Sequence, residues 1–215
     1  MKVQFPTDKT IIFISLILYL VGIVIHIVPL TRPYAIAITE PFLFLVNLSF
    51  LLSYLKHSKS IKLGLYCLFT ILITVIIEII GAATGKVFGA YAYSDLWRIN
   101  IISVPLIIGI NWVMLLLGAM NVVFNFLGKN KWYYAFVTGL LLAGIDIFIE
   151  PVAIALDYWQ WEKVTPPMQN FIAWFCIGTV LHFIGARWVS ANKWKALVWY
   201  FAINTVFFGV LYFAL

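Results

Sequence analysis

The chain reads as an all-α, polytopic membrane protein with seven transmembrane helices and a cytoplasmic N-terminus. Three observations predict this. Of the 215 residues, 64% are hydrophobic and 10% are charged, against roughly 25% charged in soluble domains. Apolar runs of the ~20 residues that a bilayer core requires recur along the whole length. The basic residues gather in alternate connections, as they do where short Lys- and Arg-rich loops stay in the cytoplasm.

The spans are expected at about 10–30, 40–56, 61–81, 101–124, 132–156, 168–187 and 194–214, within one domain covering residues 1–215. The first follows Lys2 and Lys9 and resembles a secretion signal. Its apolar run is too long for one, and Pro29-Leu30-Thr31-Arg32 offers no small-residue cleavage pattern, so a retained helix is expected. The second is the shortest, starting at Glu40. The third ends near Gly81, the first of a ladder with Gly85 and Gly89 that would let another helix approach closely if the segment stays helical. The fourth carries Asn111 and Trp112 at membrane depth, and the fifth carries Asp146, Glu150 and Pro151. Pro166-Pro167 opens the sixth. The seventh has only Lys195, at its very start, and so lacks the deep lysine of a retinal protein.

Ten of the fourteen basic residues fall on the N-terminal side of this topology: Lys2, Lys9, Lys56, Lys59, Lys62, Lys129, Lys131, Arg187, Lys193 and Lys195. Arg32, Lys86, Arg98 and Lys163 fall on the other. This asymmetry, aided by anionic headgroups, explains the net charge of +6 without nucleic acid. Cys67 and Cys176 lie inside spans with no paired motif, which argues against a disulfide framework. His26, His57 and His182 are dispersed, with no spacing that sets two imidazoles on one helical face, so no metal is expected. No nucleotide, flavin or haem motif is present, and no cofactor is expected.

Three acids, Glu78, Asp146 and Glu150, lie in stretches apolar enough to sit in lipid. An acid at the centre of a membrane helix costs roughly 2.5–3.5 kcal/mol on insertion scales, so such groups read as functional. All three lie toward the outer ends of their spans. Asp146 and Glu150 are four residues apart, on one helical face, with β-carbons about 5–6 Å apart. Two carboxyls that close are not both ionised at low cost in a low dielectric, and one is expected to keep the proton a general acid needs. The structural alternative is that Pro151 kinks the helix and both acids take hydrogen bonds from backbone or Trp donors.

Two aromatic blocks flank these acids. Phe88-Gly89-Ala90-Tyr91-Ala92-Tyr93 suits an interfacial turn or a cover over a cavity mouth. Trp159-Gln160-Trp161-Glu162 repeats the theme, followed by Asn170-Phe171 and Trp174. Aromatic faces stabilise a cation by roughly 0.5–2 kcal/mol each, and an aromatic belt at the interface is the structural alternative. Tyr91, Tyr93, Asn111, Trp112, Trp159, Trp161, Asn170 and Trp174 are the expected substrate-binding residues.

Taken in order, these blocks resemble the membrane carotenoid 1,2-hydratases of the CruF type, within a wider group of carotenoid biosynthesis proteins. The resemblance is carried by Glu78-Ile79-Ile80-Gly81, by Thr84 through Tyr93, and by Val104-Pro105 through Trp112. It continues in Asp146 through Pro151, Trp159-Gln160-Trp161, and Pro167 through Phe171 with Trp174. It covers spans three to six, about half of the chain. The chain departs from the pattern at Lys163-Val164-Thr165-Pro166, where family members place a Gly-Tyr-Tyr-Gly-like stretch, and at Glu150, where Asp is usual.

The resemblance implies addition of water across the terminal 1,2 (1',2') double bond of an acyclic carotenoid end to give a tertiary alcohol. The acids supply a chemistry that suits it. A protonated carboxyl, Asp146 or Glu150, would acidify the alkene, Glu78 would position water or balance the cation, and water would capture it. The implied partners are a lipophilic carotenoid, water, the bilayer of the cell membrane, and other enzymes of the same pathway. A related cyclase would form the same kind of cation and exclude water. A prenyltransferase would need a second acidic motif and a basic cluster for diphosphate, and the chain has neither. A proton-coupled transporter would be expected to show an inverted repeat, and none is visible.

Overall fold

The computed structural model describes residues 8–128 and 131–215; Lys2 and Lys129 of the charge count lie outside them. Seven helices, each long and apolar enough to cross a membrane, run in chain order: α1 (Asp8–Ile27), α2 (Arg32–Ser58), α3 (Ile61–Thr84), α4 (Leu106–Phe126), α5 (Tyr134–Ala155), α6 (Met168–Ala191) and α7 (Lys195–Ala214). Four short strands lie in the connections: β1 (Tyr91–Tyr93), β2 (Asn100–Ile101), β3 (Val104–Pro105) and β4 (Trp159–Trp161).

Helix α4 is the axis of the bundle and packs on α2, α3, α5, α6 and α7. Apolar on all sides, it buries nearly every side chain, as an all-round hydrophobic helix must. The other helices turn Phe13, Leu45, Leu65, Leu140, Val180 and similar residues outward, a surface that only lipid would cover. Small residues set the close crossings. A Cβ on Gly139 would lie 2.3 Å from the Oγ1 of Thr179, and one on Gly178 would lie 2.5 Å from Leu142, so these two glycines let α5 and α6 approach.

Three elements differ from the sequence expectation. Helix α2, expected to be the shortest and to start at Glu40, is the longest at 27 residues. It begins with Pro33 in its first turn, where a missing N–H costs nothing, and runs on through Pro41. Glu40 is therefore inside the helix and buried. Its oxygens accept the backbone N–H groups of Arg98 (3.0 Å) and Ile99 (3.1 Å), pinning the α3–α4 connection. The fourth span starts at Leu106, because Asn100 pairs with Pro105 and Ile101 with Val104 in a tight hairpin.

The Gly81, Gly85, Gly89 ladder is not a helical face. Helix α3 ends at Thr84, with Gly85 closing it in the left-handed conformation (φ +64°). Gly89, at φ +115°, turns the chain where a Cβ would strike Pro167 at 2.5 Å. The glycines thus bend the chain back over the end of the bundle.

Candidate active site

Strands β1 and β4 pair antiparallel, Tyr91 opposite Trp161 and Tyr93 opposite Trp159. Alternation along a strand puts these four rings on one face. Tyr91 and Trp161 meet at 5.0 Å between ring centroids, and Tyr93 and Trp159 at 6.0 Å. The ladder is extended by Glu162 N–H to Ala90 O and Ser94 N–H to Tyr158 O. The result is a two-stranded aromatic lid whose polar edges reach down to two carboxyls.

Helix α3 supplies Glu78. Its Oε2 accepts the hydroxyls of Tyr91 (2.5 Å) and Tyr93 (2.9 Å), and its Oε1 accepts the indole N–H of Trp112 (2.8 Å). Helix α5 supplies Glu150. Its Oε2 accepts the indole N–H groups of Trp159 (3.0 Å) and Trp161 (2.7 Å), and its Oε1 accepts the Asn170 amide (3.2 Å). All six donors are neutral. Burial raises the Tyr91 and Tyr93 hydroxyls above the usual tyrosine range, so both stay protonated.

Asp146 is fully buried. Its Oδ2 accepts the Asn170 amide at 2.6 Å, while its Oδ1 has no partner. It contributes nothing to the cavity wall and stands behind Asn170, which bridges it to Glu150. Pro151 lies within α5, and two Trp donors do reach Glu150, as the structural alternative anticipated.

The carboxyl pair lies at the wall of an apolar cavity of about 210 Å³ that reaches residues of all seven helices. Glu78, Glu150, Tyr91, Tyr93, Asn111, Trp112, Trp159, Trp161, Asn170 and Trp174 all line it. Trp112 and Trp174 stack at 3.9 Å with an interplanar angle of 21°. Asn111 accepts the Asn47 amide, and Asn47 accepts the Tyr200 hydroxyl at 2.7 Å. Among the described residues, no group of three or more His, Cys, Asp or Glu is placed to hold a metal ion.

The lining also draws on residues that the sequence reading passed over: Tyr19 and His26 of α1, Thr39 of α2, Tyr158 beside β4, and Tyr200 and Asn204 of α7. Their signal in the sequence is a polar group inside an apolar run, strongest at His26 and Asn204.

The fold and site thus define a seven-span helical membrane protein with paired carboxyls facing an apolar, aromatic cavity under an aromatic lid. Such a site suits a lipophilic ligand with little polar surface. The chain belongs to the carotenoid biosynthesis protein family, whose profile matches residues 39–214. No curated protein and no solved structure matches the chain.

Proposed function

We propose that this protein is an enzyme, a cofactor-independent carotenoid 1,2-hydratase that adds water across the terminal double bond of an acyclic carotenoid end. The observation that carries the reading is the placement of Glu78 and Glu150 at the wall of one apolar cavity, walled by Trp112, Trp174, Trp159 and Trp161. Membership of the carotenoid biosynthesis family supports the substrate class.

Hydrogen bonding supports a division of the two roles. Two of the three partners of Glu78 are hydroxyls, which can turn and accept, so Glu78 can carry a proton without losing its surroundings. The partners of Glu150 are all N–H donors, and the two indoles cannot reverse. Glu78 is therefore the acid and Glu150 the anion, while Asp146 acts through Asn170 as a positioning residue. This changes the roles expected from spacing alone.

The Glu78 proton passes to the less substituted alkene carbon as the π bond opens, leaving a tertiary cation between indole faces. Water forms the C–O bond, and Glu150 takes the proton it releases. Return of that proton to Glu78 through water resets the site, and the net change is one added water. The substrate enters sideways from the lipid of the cell membrane. The basic-residue asymmetry supports a cytoplasmic N-terminus, with the lid on the opposite surface.

Co-expression in a carotenoid-producing host, with mass analysis of the pigments, tests this. The expected result is a pigment heavier by one water, absent with Glu78→Gln. A pigment of unchanged mass and altered chromatography would mean cyclisation instead.

A further inference from the structure

Where α1, α2 and α7 wall the same cavity, His26, Thr39 and Tyr158 form a second polar group beside the carboxyl pair's own partners. The Nδ1 of His26 lies 2.6 Å from the Gly22 carbonyl, which can only accept, so Nδ1 carries the ring proton and Nε2 presents a lone pair. The nearest donor to that lone pair is the Tyr158 hydroxyl, at 3.5 Å, well beyond the usual length of such a bond. Its proton is used elsewhere. Thr39 donates to the Ala35 carbonyl at 2.9 Å and lies 2.7 Å from the Tyr158 oxygen, so Tyr158 donates to Thr39. The two short bonds consume both hydroxyl protons, and His26 Nε2 is left with only the long contact to Tyr158 on the wall of the cavity.

Nearby polar groups are satisfied internally: Tyr19 donates to the Asn204 side-chain Oδ1 at 3.0 Å, and the Asn204 side-chain amide to the Tyr200 backbone carbonyl at 2.9 Å. His26 is only 7% exposed and stands edge-on to the Phe207 ring at 5.8 Å, with Ile25 and Ile38 also on this wall. A buried acceptor without a donor costs about 1–3 kcal/mol, so a partner is expected when the cavity is filled. A buried water wants two to four polar partners, whereas a hydroxyl on a carbon skeleton needs one acceptor and apolar walls.

We propose that this end of the cavity is a hydroxyl-binding pole, in which His26 Nε2 accepts the O–H of an oxygenated lipophilic ligand. The site reads a hydroxyl through groups other than the reacting carboxyls and so selects among isoprenoid ligands. Tyr19 and His26 lie on α1, outside the matched residues 39–214, so family membership does not assign it. The inference assumes a lipophilic ligand in this cavity, but not the hydration chemistry.

The test uses two saturated C20 isoprenoids, a terminal tertiary alcohol and the matching alkane. Neither has a double bond, so hydration cannot affect the result. Tritiated forms are bound to the purified full-length protein in nanodiscs. Wild type is expected to bind the alcohol about three- to tenfold more tightly than the alkane, in line with one net hydrogen bond. His26→Phe removes that preference and keeps alkane affinity, which also reports that the cavity is intact. His26→Gln, which retains an acceptor, restores part of it. Equal binding of the two ligands by wild type, or a preference that survives in His26→Phe, overturns the proposal. So does a His26→Phe loss shared equally by both ligands and by His26→Gln.

Discussion

Replacing each glutamate by its isosteric amide separates the two roles. In Glu78→Gln the amide oxygen keeps the Trp112 N–H, and the amide nitrogen faces the Tyr91 and Tyr93 hydroxyls, which turn and accept. The structural cost is a rearranged bond or two, about 0.5–1.5 kcal/mol. The chemical cost is the proton donor itself, about 10²- to 10⁴-fold in rate. In Glu150→Gln the amide oxygen keeps Trp159 and Trp161, which sets the new amide nitrogen against the Asn170 nitrogen. Flipping Asn170 only moves the conflict to the Oδ2 of Asp146. One buried group stays unsatisfied, at about 1–3 kcal/mol, added to the loss of charge-assisted bonds. Thermal unfolding followed by near-ultraviolet circular dichroism of the tryptophans, beside pigment turnover, reads both effects. Glu78→Gln should lose activity with its melting nearly unchanged, and Glu150→Gln should lose both. A stable Glu150→Gln beside a Glu78→Gln that melts early would refute the assignment.

Asp146→Asn leaves an amide oxygen to accept from Asn170 and no cavity atom altered, so turnover should fall less than about tenfold; a loss matching that of Glu78→Gln would make Asp146 the acid. Trp174→Leu removes the ring stacked on Trp112 and should slow turnover by about 0.5–2 kcal/mol of barrier, measured as the rate at saturating carotenoid. Gly89→Ala forces a Cβ to within 2.5 Å of Pro167 at φ +115° and should displace the lid, seen as loss of tryptophan near-ultraviolet signal. Ile102 (φ +50°) and Ser103 (φ +65°) occupy a hairpin turn that suits Asn-Gly, so Ile102→Asn with Ser103→Gly should stabilise the protein by about 1 kcal/mol in a detergent melt.

The seven spans were legible because lipid imposes one composition on every outward face, and five of them were placed to within a few residues, while the fourth starts later than expected, after the hairpin. Helix α2 was cut short because its first half is broken by Pro33 and Pro41, which a bundle tolerates where packing covers the backbone. The acids and aromatics of the site were legible by residue type alone. Their pairing was not: strand-to-strand register between Tyr91–Tyr93 and Trp159–Trp161 is a long-range contact with no local signature. Asp146 and Glu150 do share a helical face, but the longer Glu150 side chain reaches the cavity while Asp146 is held behind Asn170. The His26 end stayed hidden because an isolated histidine shows its neighbours only once α1, α2 and the Tyr158 turn are assembled.

The central claim is that the carboxyl pair adds water to a carbon–carbon double bond. Incubating the purified protein in nanodiscs with an acyclic carotenoid in water labelled with heavy oxygen tests it most directly. The account predicts a tertiary alcohol heavier by one labelled water, formed by wild type and not by Glu78→Gln. A product with no oxygen from the solvent, or equal labelling by the Glu78→Gln protein, would contradict it.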